Sequence, residues 1–202
     1  MADKILFTDP DGNQAVRRDG KVIYKGEEYL IVSAFDAAAK ILKGEELKGC
    51  YIESITRDTL LKAEKSLKTG NLVEEEEKSF LGRPRLTLRS PINCRRCLIG
   101  ALDLSGVTFS GGADFSAATF SGRARLNRAT FSGEARFWGC AFLSCDLSWA
   151  RFESLCDLSG VAAGSLDLSN SVFTESVRLS PETDRKRLAE FFKRTRPLLE
   201  KS

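Results

Sequence analysis

The stretch GADFSAATFSG (residues 112–122) and its continuation GRARLNRATFSG (residues 122–133) decide the fold. A bulky apolar residue recurs there every five or six positions, at Phe115, Phe120, Leu126 and Phe131. An alanine stands two positions before each of them. A helix repeats every 3.6 residues and a strand every 2, so this period is typical of neither one alone.

The same spacing extends over residues 99–179, with a bulky residue at every step except Ala163. When these residues are sorted by every fourth one, the second column is all Leu and the third is all Phe. The four columns are Ile99, Phe120, Phe142, Ala163; Leu104, Leu126, Leu147, Leu168; Phe109, Phe131, Phe152, Phe173; and Phe115, Phe137, Leu158, Leu179. The pattern predicts a solenoid of four-sided coils, stacked about 4.8 Å apart, in which each coil buries its neighbours' inward side chains.

These runs, with GCAFLSCDLSWARF (residues 139–152) and SLDLSNSVF (residues 165–173), resemble the pentapeptide-repeat proteins. The pattern of that family is a small residue, any residue, Leu or Phe, and two variable residues. The resemblance covers residues 92–179 and implies a right-handed quadrilateral β-helix. We therefore expect a mainly β fold, in which a β-helix solenoid of about four coils follows a small α+β domain and precedes a C-terminal capping helix.

The flanking segments do not repeat. Residues 1–73 are predicted to form the small α+β domain, and residues 74–91, with the acidic run Glu74–Glu77, a linker and lead-in strand. The predicted elements of the domain include strands at Ile5–Thr8, Lys21–Tyr24 and Tyr29–Val32 and a helix opened by Ser33. Residues 180–202 are predicted to form a helix that begins at Ser180 and Pro181. That helix either caps the last coil or joins two copies as a homodimer.

Composition argues against an enzyme. The 202 residues carry a formal charge of only +3 and no histidine, the commonest general base and metal ligand. No phosphate-binding loop, dinucleotide fingerprint or hydrolase motif occurs, and Cys94 and Cys97 form a CxxC pair without the second pair that a zinc site needs. We expect no cofactor and no metal. The N-terminus has no long apolar run, so we expect a cytoplasmic protein without a membrane span.

Residues just before the inward ones must point outward, and this alternation divides the four sides by charge. Two opposite sides carry charged rows, one of them Asp114, Arg136, Asp157 and Arg178, and the other two are nearly uncharged. The uncharged sides are predicted to dock a protein partner. The candidate partner-binding residues are Thr108, Thr119 and Thr130 on those sides, Trp138 and Trp149 outside or at corners, and an arginine group of Arg83, Arg85, Arg89, Arg95 and Arg96, which suits an anionic partner.

The sequence favours a non-enzymatic scaffold that docks a protein through the solenoid and the N-terminal domain. One alternative is a DNA-mimicking modulator of a type II topoisomerase, as some relatives are, although residues 97–180 contain eight acidic and six basic residues rather than an acidic excess of that kind. The other alternative gives the N-terminal domain a small ligand-binding or catalytic role. Direct nucleic-acid binding is not favoured, because aromatic residues do not alternate with the basic ones.

Overall fold

A computed structural model describes residues 3–78 and 84–180. Arg83 and the predicted helix beyond Ser180 lie outside the described residues. The elements before the repeats are β1 (Lys4–Thr8), β2 (Gln14–Arg18), β3 (Lys21–Tyr24), β4 (Glu27–Val32), α1 (Ala34–Leu42), β5 (Cys50–Thr56), α2 (Arg57–Leu67), β6 (Leu72–Lys78), β7 (Pro84–Leu88) and β8 (Ile92–Asn93).

The repeat region consists of short strands. They are β9 (Leu98–Asp103), β10 (Val107–Phe109), β11 (Ala113–Asp114), β12 (Thr119–Arg125), β13 (Thr130–Phe131), β14 (Ala135–Arg136), β15 (Ala141–Asp146), β16 (Arg151–Phe152), β17 (Cys156–Asp157), β18 (Ala162–Ala163), β19 (Leu166–Asp167), β20 (Val172–Phe173) and β21 (Val177–Arg178). The chain is mainly β, and its parallel sheets are consistent with a β-helix solenoid.

Three sheets run along the stack. The first sheet has the order β1-β2-β3-β4-β5-β9-β12-β15-β18, with β19 also paired to β15. The second sheet has the order β20-β16-β13-β10-β7-β6, and the third has the order β21-β17-β14-β11-β8. One coil crosses all three sheets, because β12, β13 and β14 follow one another in the chain and lie in different sheets.

The register of the sheets reproduces the columns read from the sequence. Phe131 pairs with Phe109 on one side and with Phe152 on the other, and Phe152 pairs in turn with Phe173. Phe120 likewise pairs with Ile99 and Phe142. The central members of these columns are buried, because each inward side chain is covered by the like residue of the coil above and below.

The N-terminal strands and the repeats share one sheet. β5 lies parallel to β9, with Ile52 opposite Ile99 and Ile55 opposite Leu102. β4 lies parallel to β5, and β1 to β4 form an antiparallel meander that extends the sheet outward. The division expected at residue 73 therefore does not coincide with a break in the sheet. The stacking begins at β5, before the predicted start at residue 92.

Both helices cover the inward side of this sheet. Ser33 begins α1, where its hydroxyl accepts a hydrogen bond from the backbone N–H of Asp36 at 3.1 Å, and Thr56 begins α2 with a reciprocal cap to Thr59. Ala37, Ala38, Ile41 and Leu42 of α1 and Leu60 and Ala63 of α2 are buried in the same core as the repeat residues. The helices thus close the N-terminal end of the stack.

The segment predicted as a linker is largely a strand pair. β6 and β7 are antiparallel and extend the second sheet beyond β10, and Leu72 and Leu88 are opposite each other and buried. Glu75, in the acidic run, lies opposite Arg85 in the strand register. Because glutamate has a low strand propensity, this pairing was not predicted from the sequence.

Within residues 3–78 and 84–180, neither helix is long and apolar enough to cross a bilayer.

Candidate functional site

The interior of the stack is filled by rings. The centroids of Phe109 and Phe131 are 4.7 Å apart, those of Phe131 and Phe152 are 4.9 Å apart, and those of Phe152 and Phe173 are 4.6 Å apart. The planes of Phe131 and Phe152 are within 3° of parallel. Since this column occupies the space inside the second sheet, recognition by this part of the molecule must use the outer surface.

The outer row of the second sheet forms a face of mostly short side chains, which we call the threonine face. In register order, its residues are Thr87, Thr108, Thr130, Arg151 and Val172. The two predicted residues Thr108 and Thr130 are direct neighbours on it. The column pattern predicted this row, and the structure extends it with Thr87, which the sequence did not mark because β7 precedes the matched repeats.

Arg151 is the cation of the threonine face, and it is paired. Its Nε lies 2.7 Å from Oε1 of Glu153, while the hydroxyl of Ser132 donates to Oε2 of Glu153 at 2.8 Å. The hydrogen bond from Arg151, assisted by that from Ser132, lowers the pKa of Glu153 below its usual value. Glu75 accepts a hydrogen bond from the hydroxyl of Thr87 at 2.6 Å. The part of the face around Thr108 and Thr130 therefore lies between two charged ends and is the part that costs least to desolvate.

Trp149 stands at the corner where the chain passes from the first sheet to the second. The backbone N–H of Ala150 donates to the carbonyl of Leu147 at 3.0 Å, which closes a β-turn around Ser148 and Trp149. Trp149 has φ 59° and is 58% exposed. A turn with positive φ only at its third residue is type II, which favours glycine or asparagine at that position. A large ring in this conformation is uncommon.

Other corners share this backbone conformation. The equivalent left-handed positions are occupied by Arg96, Gly106, Ala117, Arg128, Gly139, Gly160 and Asn170. Gly106, Arg128, Trp149 and Asn170 belong to the same corner of successive coils. The sequence contained this signal, since glycine and asparagine recur two positions after the inward residue, but the prediction that Trp149 is outside did not include its backbone conformation.

Trp138 lies at a different corner, between the third sheet and the first, and it is 55% exposed. The two tryptophans thus project from separate corners of the coil rather than forming one patch. Thr119 lies on the first sheet, between Leu98 and Ala141, and does not join the threonine face.

The outer side of the first sheet near Thr119 is already partly covered. Leu98 points outward and yet is 0% exposed, because it packs with Ala15, Val22 and Tyr24 of the meander. This second core lies on the opposite side of the sheet from the main one. One of the two uncharged sides predicted for docking is therefore occupied at its N-terminal end by the chain itself.

The four described members of the arginine group, Arg85, Arg89, Arg95 and Arg96, have different surroundings. Arg85 lies on β7, opposite Glu75, and Arg89 is exposed just beyond that strand. Nε of Arg95 is 3.8 Å from Oδ2 of Asp114. A terminal nitrogen of Arg96 is 3.3 Å from Oε1 of Glu27. Because Arg95 and Arg96 pair with separate carboxylates, these two charges do not form a single anion site.

The aspartates of the repeats have a local structural role. Each precedes an inward Leu or Phe and a serine, and its Oδ1 accepts a hydrogen bond from the backbone N–H of that serine. The pairs are Asp103 with Ser105, Asp114 with Ser116, Asp146 with Ser148, Asp157 with Ser159, and Asp167 with Ser169. These Asx turns fix the corners. Arg136 also approaches Asp114 to 3.8 Å and Arg125 approaches Asp103 to 3.5 Å.

Cys94 and Cys97, the two residues of the CxxC pair, are both buried. Hydrogen bonding between the two thiols lowers the pKa of Cys97 and raises that of Cys94, which burial raises further. Cys97 also donates to the carbonyl of Leu47. Burial raises the pKa of the Cys140, Cys145 and Cys156 thiols. Among the described residues, no group of three potential ligands is arranged to hold a metal ion.

Comparison with known proteins identifies the repeats. Residues 98–141 match a family model described as pentapeptide repeats (9 copies). The matched segment contains Gly106 and Gly139 of the corners, and both Thr119 and Thr130. A search of curated proteins found no match, and a search of solved structures found none either.

Proposed function

We propose that this pentapeptide-repeat chain is a non-enzymatic scaffold that docks a protein partner on the threonine face, with Trp149 as the anchor. In this proposal the repeats form a right-handed quadrilateral β-helix of about four coils. The C-terminal residues cap or pair the open end, and the protein works in the cytoplasm. The match to pentapeptide repeats and the parallel stacking support a rigid scaffold.

The exposed ring of Trp149 carries the proposal. A left-handed backbone costs a residue other than glycine about 1–2 kcal/mol, and Trp149 is nevertheless a large, mostly exposed ring. Neither burial nor turn geometry requires tryptophan there, because Gly106 and Asn170 form the same corner in other coils. Arg128 has the same left-handed backbone at this corner, so it is the exposed ring that distinguishes Trp149, and tryptophan is enriched among binding hot spots.

The threonine face suits such an anchor. Its stacked backbone holds Thr108 and Thr130 in fixed register, so a partner would order few side chains on binding. Arg151 is already held by Glu153. Docking beside Trp149 would therefore remove little charge from water, and most of the binding energy would come from the ring and its surroundings.

The test compares matched surface changes in affinity purification followed by direct binding measurements with the purified partner. We expect Trp149→Ala and Thr130→Glu each to weaken binding about tenfold or more. Trp138→Ala and Arg136→Glu, at another corner and on a charged side, should leave binding unchanged. Circular dichroism and thermal unfolding establish that all four variants fold. Loss of binding with Trp138→Ala or Arg136→Glu, and not with Trp149→Ala, would place recognition elsewhere.

A further inference from the structure

The antiparallel meander has apolar side chains on both of its faces. One face carries the second core around Ala15, Val22 and Tyr24. Side chains alternate along β4, so Ile31 belongs to that core while Leu30 points to the opposite face. Leu30 is 63% exposed. A meander with one solvated face ordinarily places polar residues on it.

The pairing register extends this second face across three more strands. Leu30 is opposite Lys21, and Ile23 lies two residues beyond Lys21 on the same face. Ile23 is opposite Val16, and Val16 is opposite Ile5. We call Ile5, Val16, Ile23 and Leu30 the meander stripe. Its outer members Ile5 and Leu30 are exposed, and Val16 and Ile23 are half-buried.

The same face already carries a helix. Val32 shares the face of Leu30, and Cys50 is opposite Leu30 in register. Val32 and Cys50 both pack against the core that contains the buried residues of α1. A helix with its side chains is about 10–12 Å wide, which is about two strand spacings. Once α1 covers the sheet near β5, the strands β1 to β3 provide the width for one more helix.

The charges on this face are balanced, and one ion pair lies within the stripe, because Glu28 is opposite Ile23 and Lys21 is opposite Leu30. Nε of Arg18 donates to Oδ1 of Asp3 at 3.0 Å, and Nζ of Lys21 lies 2.5 Å from Oε2 of Glu28. Two cations and two anions that pair with each other do not select nucleic acid or an anionic lipid surface. They suit the polar edges of an amphipathic helix, which would meet both signs of charge.

The size of the stripe restricts the occupant further. It extends over about three strand spacings and two residue rows, roughly 14 Å by 7 Å. Stable protein interfaces bury about 800 Å² on each partner. A second copy of the chain resting on this stripe alone would fall well short of that area. One helix presenting residues at i, i+3 or i+4, and i+7 matches the stripe.

We propose that the meander stripe binds one amphipathic helix of a protein partner, which lies beside α1 with its apolar residues on Ile5, Val16, Ile23 and Leu30. The site is independent of the threonine face and does not rest on the docking function proposed above. It would give the scaffold a second recognition surface, on the sheet face that continues the inward side of the repeats.

The experiment selects binders to the full-length protein from a displayed library of helical peptides with randomised amphipathic patterns. Selected peptides should carry apolar residues at helical spacing, and their affinity should fall about tenfold or more with Leu30→Glu or Ile5→Glu. Leu143→Glu is the matched control, because Leu143 is also exposed but lies on the repeats. Thr130→Glu should have no effect, which separates this site from the threonine face.

Three results would overturn the assignment. The first is that no helical pattern is enriched, or that binding survives both Leu30→Glu and Ile5→Glu in folded protein. The second is that sedimentation shows a dimer of the wild-type chain that Leu30→Glu converts to a monomer, which would make a second copy the occupant. The third is that a synthetic peptide of residues 181–202 competes with the selected peptides, which would assign the stripe to the chain's own C-terminal segment.

Discussion

The two halves of the first sheet are built on different rules. From β9 to β18, parallel strands recur every 21 or 22 residues, with one face in the main core and the other bearing mostly short or charged side chains. From β1 to β4, antiparallel strands are joined by two-residue turns at Asp19-Gly20 and Lys25-Gly26, where all four residues have positive φ. The repeats bury one face, whereas the meander has apolar residues on both. Stacking of the coils therefore buries the inward apolar residues of the repeats, whereas the meander keeps an apolar face that is partly exposed.

The largest effect is expected from Phe131→Ala in the repeats. The ring is fully buried between Phe109 and Phe152, so its loss should reduce the free energy of unfolding by about 3–5 kcal/mol. The thermal midpoint should fall by roughly 10 °C. An unchanged midpoint would contradict the stacked core.

The matched change in the meander is Val22→Ala, in the second core. We expect a smaller loss of about 2 kcal/mol. Both tryptophans lie in the repeats, so tryptophan fluorescence reports the unfolding of that half alone. Because Leu98 of β9 packs against Val22, Val22→Ala should shift the fluorescence transition. A transition that does not move would mean that the two halves unfold independently.

A second prediction concerns the close approach of coils at the corner within the first sheet. A Cβ on Gly122 would lie 2.1 Å from the carbonyl oxygen of Gly100. Backbone atoms cannot move aside as a side chain would, so Gly122→Ala should destabilise the protein by about 1–3 kcal/mol. Urea unfolding measures the change.

The control for Gly122→Ala lies in the meander. Gly12 has φ 86°, but a Cβ added to it would have no other atom within 4 Å. Gly12→Ala should therefore cost only the conformational strain of about 1 kcal/mol. If the two variants were equally stable, the tight contact between coils would not be a constraint.

Trp149→Gly should have a small and opposite effect. Glycine adopts the left-handed conformation without the steric cost of about 1–2 kcal/mol, although its greater freedom in the unfolded chain offsets part of the gain. We expect stability to rise by up to about 1 kcal/mol while partner binding falls. Trp138→Gly is the comparison, since Trp138 is outside the set of residues with positive φ, and it should be slightly destabilising. A loss of stability with Trp149→Gly would mean that the ring supports the fold.

The smallest effect is a pH dependence confined to the meander. Partial burial raises the pKa of Asp9, but hydrogen bonds from Asn13, Tyr24 and Lys25 outweigh it and hold the pKa well below the usual 3.8. The stabilisation is therefore present above about pH 4 and is lost as the pH falls toward the folded-state pKa. Asp9→Asn should lower the thermal midpoint at pH 7. Below pH 4, the midpoint of the variant should fall less steeply with pH than that of the wild type. Thermal scans from pH 7 to pH 3 test this, and an unchanged decline would assign it to other carboxylates.

The sequence predicted the repeats better than what precedes them, for a physical reason. Each coil repeats the same environment, so Leu104, Phe109 and their equivalents appear as columns. Ile52 stacks on Ile99 in the same way, but 47 positions separate them, against 21 between Ile99 and Phe120. Because the intervening segment breaks the regular spacing, the place of Ile52 in the column becomes visible only from the strand pairing. The strands β1, β3 and β4 and helix α1 were predicted from turn and cap residues, while β2 was missed.

Some features of the candidate site were likewise predicted from the sequence, and others were not. The outward positions of Thr108 and Thr130 followed from alternation with inward Phe, and the exposure of both tryptophans followed from their offset. The sequence did not predict that Trp149 lies beside the threonine face and Trp138 at another corner, because this depends on which two sheets each corner joins. The arginines were close in sequence, but Arg95 and Arg96 turn to carboxylates contributed by Asp114 and Glu27, which lie 19 and 69 positions away in the chain.

The interval between β5 and β7 shows what the coil tolerates. The chain leaves the stack at Thr56, forms α2 and β6, and rejoins it at β7, where Leu88 takes its place opposite Phe109. The sides of the coil before and after the excursion, β5 and β7, keep their register with β9 and β10, because strand pairing rather than chain continuity holds each side in place. An engineer could use this excursion as an insertion point for a foreign loop or small domain. The inserted segment would be displayed at one end of a stiff rod whose length can be set by the number of coils.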